Sequence, residues 1–400
     1  MRQPDNLSSS TKSVTPSGFP RRRLASYYFV YFTLFGSLLP FFGLYMQGLG
    51  FSAWQIGQVM AALIGTKILA PYLWGWLADR TGRIMPWVRG VIGMATLASM
   101  GLLWVDSFAG VMTVVILFSF FWHGGLPLFE AYTFSQLGPN KAQYGKIRLW
   151  GSLGFIAAVL VLGELFSRYG LAGFPWVILG LFGVLWLVSW SLKDQSISQA
   201  APLAAEHLGK VLKSPVVWSL LLVSFLLQFS HGTYYNFFSI DLTAHGYSKQ
   251  SIAWLWSWGV LAEIVVFLAM VWLFRHYSVR NLILASLVLT LLRWQINIWG
   301  VDSIGWMLLA QTLHAASFGL FHAAALHLID DLFKGALRGR GQAIYAATSQ
   351  GLGGAAGALL AGLTWTLGGA LLSYMVSSLA VLLAIIVAWR WLRLEKRCAR

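Results

Sequence analysis

The chain carries little charge, and very little of it is negative. Of its 400 residues 10% are charged, with 13 acidic against 28 basic. A soluble globular chain carries about 25% charged residues, so this composition excludes an ordinary water-surrounded protein. One cysteine, Cys398, excludes an intrachain disulfide and leaves the redox compartment unread. There is no phosphate-cradling loop of the Walker type, no cluster with metal-ligand spacing and no nucleophile triad, so no metal, cofactor or ATP site can be assembled and an enzyme is not expected. Transport work would then draw on an ion gradient. The net charge of +15 has no soluble basic domain to occupy. The basic residues sit in short stretches between apolar runs, which argues against nucleic acid as a partner and for membrane lipid.

What the chain has instead is apolar length. Hydrophobic residues make up 58%, and the mean hydropathy is +0.69. A helix needs about 20 apolar residues to cross a bilayer. Twelve such runs are read at 25–47, 52–77, 86–105, 109–136, 147–167, 174–192, 215–240, 249–273, 281–300, 304–329, 341–365 and 369–391. They are long and continuous, unlike the alternating ten-residue segments of a membrane β-barrel. The fold class is an all-α membrane protein with twelve transmembrane helices in two six-helix bundles. An N-terminal tail (1–24) precedes one bundle (25–192), a charged linker (193–214) leads to the second (215–391), and a tail (392–400) follows. The first run is too long for a signal-peptide core and lacks a small-residue cleavage site, so it is expected to be retained. With the N-terminus inside, 24 of the 28 Lys and Arg fall on the cytoplasmic side, so both termini are expected in the cytoplasm of a multi-pass protein of the bacterial inner membrane.

The halves repeat. At a shift of 196, Gly50-Phe51-Ser52 meets Gly246-Tyr247-Ser248, Ile56 meets Ile252, Trp76-Leu77 meets Trp272-Leu273, and Gly145 meets Gly341. The same shift sets Lys67 on Glu263. Each lies about 14 residues, or roughly 21 Å, into its helix, in the middle third of a ~30 Å hydrocarbon core. A parallel repeat with a polar middle predicts two domains rocking about a central site.

Charges within apolar spans are costly and must face the interior, Lys67 and Glu263 centrally and Glu130 and Arg148 nearer the cytoplasmic face. Lys67, Glu130, Arg148, Glu263 and Arg293 form the set, joined by His123, His231, His314, His322 and His327. They read either as binding and proton-carrying groups or as ion pairs between helices. A lone histidine is more readily a packed one; His314 and His322, eight residues apart, share a helix face. Of the aromatic and polar residues, Tyr31, Tyr234, Asn236 and Trp258 are placed for a cavity, while most of the 21 tryptophans serve interfaces and packing. Gly351, Gly353, Gly354 and Gly357 favour close helix approach. The loop Gly75-Trp-Leu-Ala-Asp79-Arg80-Thr-Gly82-Arg83 needs Gly82 for its turn. Its Asp79 could cap the next helix or pair with a base from span 11 or the loop before it. Otherwise it is a basic cytoplasmic loop.

That loop resembles the signature loop of the major facilitator superfamily, in which it gates inward opening. From Tyr28 to span 12 the chain resembles the 3-phenylpropionate permease family of that superfamily, which is related to the lactose permease group. The resemblance is carried by Tyr144-Gly-Lys-Ile-Arg148-Leu-Trp150-Gly151-Ser, His231-Gly-Thr-Tyr-Tyr235, the stretch from Gly246-Tyr-Ser through Leu255-Trp256-Ser257 to Glu263, and Leu292-Arg293-Trp294, with His314 on span 10. It implies that Glu130 and Arg148 bind solute and that Glu263 and Arg293 stand where that group has its coupling acid and arginine. The group's span 10 glutamate has no counterpart here, and span 5 lacks the Gly-Pro signature of drug–proton antiporters.

The expectation is a proton-coupled symporter for a small organic solute such as 3-phenylpropionate. Arg148, Glu130, Lys67, Tyr31, Tyr234, Asn236 and Trp258 would bind the solute. Glu263, Glu130, Arg293, His231, His314 and His322 would serve the proton. Gly75, Asp79, Arg80, Gly82 and Arg83 would gate. Its partners are the solute, protons and lipid, with no obligate protein partner evident. The alternatives are a symporter for a neutral sugar or nucleoside, an exporter of amphiphiles, and a non-transporting sensor.

Overall fold

The computed structural model describes residues 20–138, 140–194 and 206–392. Most of the N-terminal tail, the middle of the linker and the C-terminal tail with Cys398 lie outside these residues.

Among the described residues every regular element is helical. Nine helices run as α1 (Arg21–Gly48), α2 (Ala53–Thr81), α3 (Met85–Leu103), α4 (Phe108–Leu137), α5 (Tyr144–Tyr169), α7 (Pro215–Ala244), α8 (Lys249–His276), α9 (Val279–Trp299) and α10 (Ile304–Leu332). The tenth long apolar run, α11, spans Arg338–Trp391. Between α5 and α7 lies the shorter apolar α6 (Phe174–Trp190). A seven-residue helix, Glu206–Leu212, stands where the sequence suggested only solvated linker. At 54 residues α11 would be about 80 Å long if straight. It is not straight: Gly368 and Gly369 leave helical geometry, Gly369 at φ 60°. Two limbs result, and the break coincides with the gap expected between the last two spans.

The repeat is visible as two matching turns. Gly50 and Gly246 both take positive φ, 85° and 81°, a conformation that a side chain disfavours. The next amides then bond back, Phe51 N–H to the Met46 carbonyl (3.1 Å) and Tyr247 N–H to that of Leu242 (3.0 Å). Ser52 and Ser248 cap the following helices by accepting from Gln55 N–H (3.3 Å) and Ser251 N–H (3.0 Å).

Packing repeats as well. Gly36 lets α1 approach Phe155 and Ala158 of α5; its equivalent, Gly232, lets α7 approach Gly357 in the first limb of α11. Between the halves, Gly57 of α2 lies against Ala358 and Gly362 of α11, and Gly163 of α5 against Ala253 of α8. Positions 57 and 253 are again repeat-related. Both contacts sit one or two turns beyond the glycine turns, so the halves are closed against each other at that end. At the other end, the last carbonyls of α6 are held by cations, as helix C-termini favour. Arg23 Nη1 donates to Ser191 O (2.8 Å) and Arg89 Nη2 to Leu192 O (2.6 Å). Arg280 Nη2 does the same at Trp389 O (2.8 Å), near the end of α11.

Candidate functional site

The second half gathers its intramembrane charges in one cluster. Glu263 of α8 places Oε1 2.8 Å from His314 Nε2 of α10. Arg293 of α9 is 0% exposed, and among the described residues no carboxylate lies within ion-pair distance of it. Its guanidinium lies 3.9 Å from the Tyr234 ring centre and 4.8 Å from that of Trp294. Nη1 donates to Ser317 Oγ (3.0 Å), while Nε and Nη2 reach no partner. A fully buried cation held by two aromatic faces and one hydroxyl retains unused capacity for an anion. Tyr234 OH donates to Gln311 Oε1 (2.9 Å), which fixes the ring. His231 sets Nδ1 2.8 Å from the Leu227 carbonyl and Nε2 3.4 Å from Ser317 Oγ. A carbonyl only accepts, so Nδ1 carries the hydrogen and neutral His231 offers Nε2 as an acceptor.

The first half holds its charges apart. Glu130 accepts from Tyr144 OH (3.0 Å). Arg148, one turn into α5, lies over the Phe32 ring at 3.8 Å and within 5.8 Å of Tyr28. The two do not form an ion pair within 4 Å, although the Arg148 charge acts on Glu130. Lys67 is half-buried, with Nζ 5.4 Å from the Phe35 ring centre and no ion-pair partner among the described residues. Beside it, Thr66 Oγ1 lies 2.7 Å from His123 Nδ1 and donates to Ser119 Oγ at 3.1 Å. The charges of this set are therefore three cations, Lys67, Arg148 and Arg293, against two carboxylates, Glu130 and Glu263.

Other expected site residues lie elsewhere. Trp258 is 46% exposed on the α8 face that carries Trp254, Leu261 and Val265, and its Nε1 donates to Thr312 (2.9 Å). Tyr31 is buried inside the first half against Trp122, donating to the Trp122 carbonyl (3.3 Å). Asn236 is buried beside Gly43, its Nδ2 donating to the Gly232 carbonyl (2.7 Å) and its Oδ1 unmatched. His322 bonds Tyr345 OH through Nδ1 (3.2 Å), and His327 faces Asp331 at 3.9 Å. In the loop after α2, Gly82 turns at φ 62° as expected. Asp79 is exposed and makes no ion pair among the described residues, and it does not cap α3, whose N-cap position is Ile84. Arg80 covers Trp76 (4.0 Å), and Arg83 reaches Asp194 (2.6 Å) at the end of the first half.

Sequence reasoning passed over Tyr144, Gln311, Ser317 and Tyr345. Gln311 was within reach, standing three residues before His314 and so on the same face.

Comparison with known proteins is consistent over most of the length. The model of the MFS_1 like family matches residues 21–376. The chain is 31% identical over 337 residues to a protein of Escherichia coli (strain K12) described as "Probable 3-phenylpropionic acid transporter", covering 82% of this chain and 87% of that one. It is 24% identical over 370 residues to the maltose permease of Geobacillus stearothermophilus, covering 90% and 92%. Among solved structures, the nucleoside transporter NupG superposes with a TM-score of 0.79 at 19% identity, over 93% of this chain and 98% of that one. These relatives are transporters, not enzymes.

Proposed function

Because the chain belongs to the MFS_1 like family and is a multi-pass membrane transporter, we propose that it takes up a small organic monoanion together with a proton. The solute class is an aromatic carboxylate such as 3-phenylpropionate. Twelve spans in two six-helix bundles, with both termini cytoplasmic, would work by alternating access in the bacterial inner membrane. α6 and the two limbs of α11 supply the spans beyond the nine other helices.

The observation that carries this reading is the charge balance of the set Lys67, Glu130, Arg148, Glu263 and Arg293. Three cations face two carboxylates, a surplus of one positive charge with the histidines neutral. Added charge in a low-dielectric cavity is costly, and a bound monocarboxylate offsets the second positive charge that a proton on Glu263 creates. Among the described residues Lys67 lacks an ion-pair partner and Arg148 has only the Phe32 and Tyr28 rings about its guanidinium, so these two are the anchors for the solute carboxylate. The half-buried rings of Phe32 and Phe35 beneath them suit an aromatic ring. Glu263, 2.8 Å from His314, is the proton carrier, and Arg293 is the fixed cation that favours its release. The halves meet near Gly57 and Gly163, and with both termini cytoplasmic that closed end would face outward.

Proteoliposomes with an imposed pH gradient test this. Labelled 3-phenylpropionate should accumulate when the outside is acid, and Glu263→Gln should abolish the accumulation. Uptake of the solute that ignored the gradient would overturn the proton coupling. Stabilisation of the protein in a thermal-shift screen by a sugar or nucleoside and by no carboxylate would overturn the anion. A resistance phenotype without uptake would favour an exporter, and absence of any flux a sensor.

A further inference from the structure

The second half contains a polar cavity that the solute has no use for. It is lined by Gln228 and His231 of α7, Ser317 and His322 of α10, and Tyr345 and Ser349 of the first limb of α11. Its free volume is about 20 Å³, enough for one ordered water and far too little for an aromatic acid. Two π-helical turns border it, Ala315–Leu320 in α10 and Ala347–Gly353 in α11. Each contributes a hydroxyl to the lining, Ser317 and Ser349. Such turns are rare and concentrate where a helix has been adapted to a task.

The cavity lies between the proton site and the cytoplasmic end of α10. The direct way along α10 is blocked, because the Phe318 ring stacks between His314 and His322 at 5.8 Å and 6.0 Å. The way around is polar. His231 stands 6.5 Å ring to ring from His314, and its Nε2 faces Ser317 Oγ at 3.4 Å. The Ser317 hydroxyl accepts from Arg293, which leaves its single hydrogen free to turn between the His314 carbonyl (3.1 Å) and His231 Nε2. Across the cavity, His322 Nδ1 meets Tyr345 OH at 3.2 Å. The groups facing His322 are Tyr345, Phe318 and the Arg148 charge; those facing His231 are Arg293, Ser317 and His314.

We propose that this cavity is a hydrated proton exit, in which a proton leaving the Glu263–His314 pair passes by His231, Ser317 and cavity water to His322 and Tyr345 and thence to the cytoplasm. The proton is handed from one acceptor to the next, no bond other than N–H and O–H changes, and the solute leaves by its own route between the halves. The inference rests on the proton-coupled reading above. It adds that proton and solute exit separately, and it makes Tyr345 and Ser317 positioning residues of the proton path.

Two measurements test it. In proteoliposomes, Tyr345→Phe and His322→Phe should slow gradient-driven uptake of 3-phenylpropionate by about tenfold or more, in the range expected for loss of one proton-transfer group. Exchange of labelled for unlabelled solute, which needs no proton release, should stay unchanged in Tyr345→Phe. Equal loss of both activities, or loss of neither, would overturn the route. The second measurement needs no solute. With Cys398→Ser as background, silver ion added from the cytoplasmic side should protect Ser349→Cys from N-ethylmaleimide, whereas Leu352→Cys on the exposed face should stay unprotected. A Ser349→Cys thiol that silver cannot reach would show a dry cavity and overturn the proposal. If wild-type uptake ignores the gradient, the functional reading fails by itself, and the silver result still decides whether the passage is hydrated.

Discussion

Arg293 and Lys67 are both cations without a carboxylate partner among the described residues, yet they differ in setting. Arg293 is fully buried between Tyr234 and Trp294, whereas Lys67 keeps partial exposure beside Phe35. The exposed one is the better anchor for a solute that must come and go. Lys67→Met should raise the KM for 3-phenylpropionate by roughly 10- to 100-fold, the loss of one charge-assisted contact of about 1.5–3 kcal/mol, while Lys67→Arg keeps most of it. An unchanged KM in Lys67→Met would assign the carboxylate elsewhere. At this scale the sequence was legible where cost made it so. Charges inside apolar runs must face the interior, which singled out Lys67, Glu130, Arg148, Glu263 and Arg293. It was less legible where angle around the helix decides. Trp258 turned out on an exposed face while Trp256, two residues away, is buried and donates to Ser239 Oγ (3.1 Å). An apolar helix gives no periodicity from which to tell those two directions apart.

Among the elements, small residues set how near helices come. A Cβ on Gly57 would enter the space of Gly362 and the Ala358 carbonyl. Gly57→Trp should therefore wedge α2 from α11 at the closed end, at a packing cost of about 1–3 kcal/mol. With Cys398→Ser as background, Ala355→Cys should become reactive to a membrane-impermeant maleimide from outside, together with a lower melting temperature. Labelling that stayed as low as in the Gly57 parent would mean that this contact does not hold the halves closed. The glycine-rich stretch of α11 was readable as a packing surface, and Gly353 and Gly357 do abut Phe225 and Phe229 of α7. The π-helical turns were not readable. They hold Gly319, and Gly351 with Gly353, but glycine recurs throughout these helices, so it does not mark where the ladder slips. The expected pairing of Asp79 also fails to appear among the described residues.

In the whole molecule, the repeat at 196 residues was visible in a few identities and returned as matched turns, matched caps and matched glycine contacts. It also set Lys67 opposite Glu263, and this determines how the carrier responds to voltage. The empty site bears one positive charge. With a proton on Glu263 and one monoanion bound, it again bears one positive charge. Both forms that cross between inward and outward states then carry the same load through the field. A single elementary charge would feel about 2.3 kcal/mol per 100 mV, but the difference between the two crossings is zero. Uptake should thus be electrically silent. Clamping the membrane potential with valinomycin and potassium should leave the accumulation reached unchanged while the pH gradient still drives it, and a sustained current on adding solute would contradict one proton per anion. A cell that lets its membrane potential fall would, on this account, keep feeding through this carrier for as long as its surroundings stay acid.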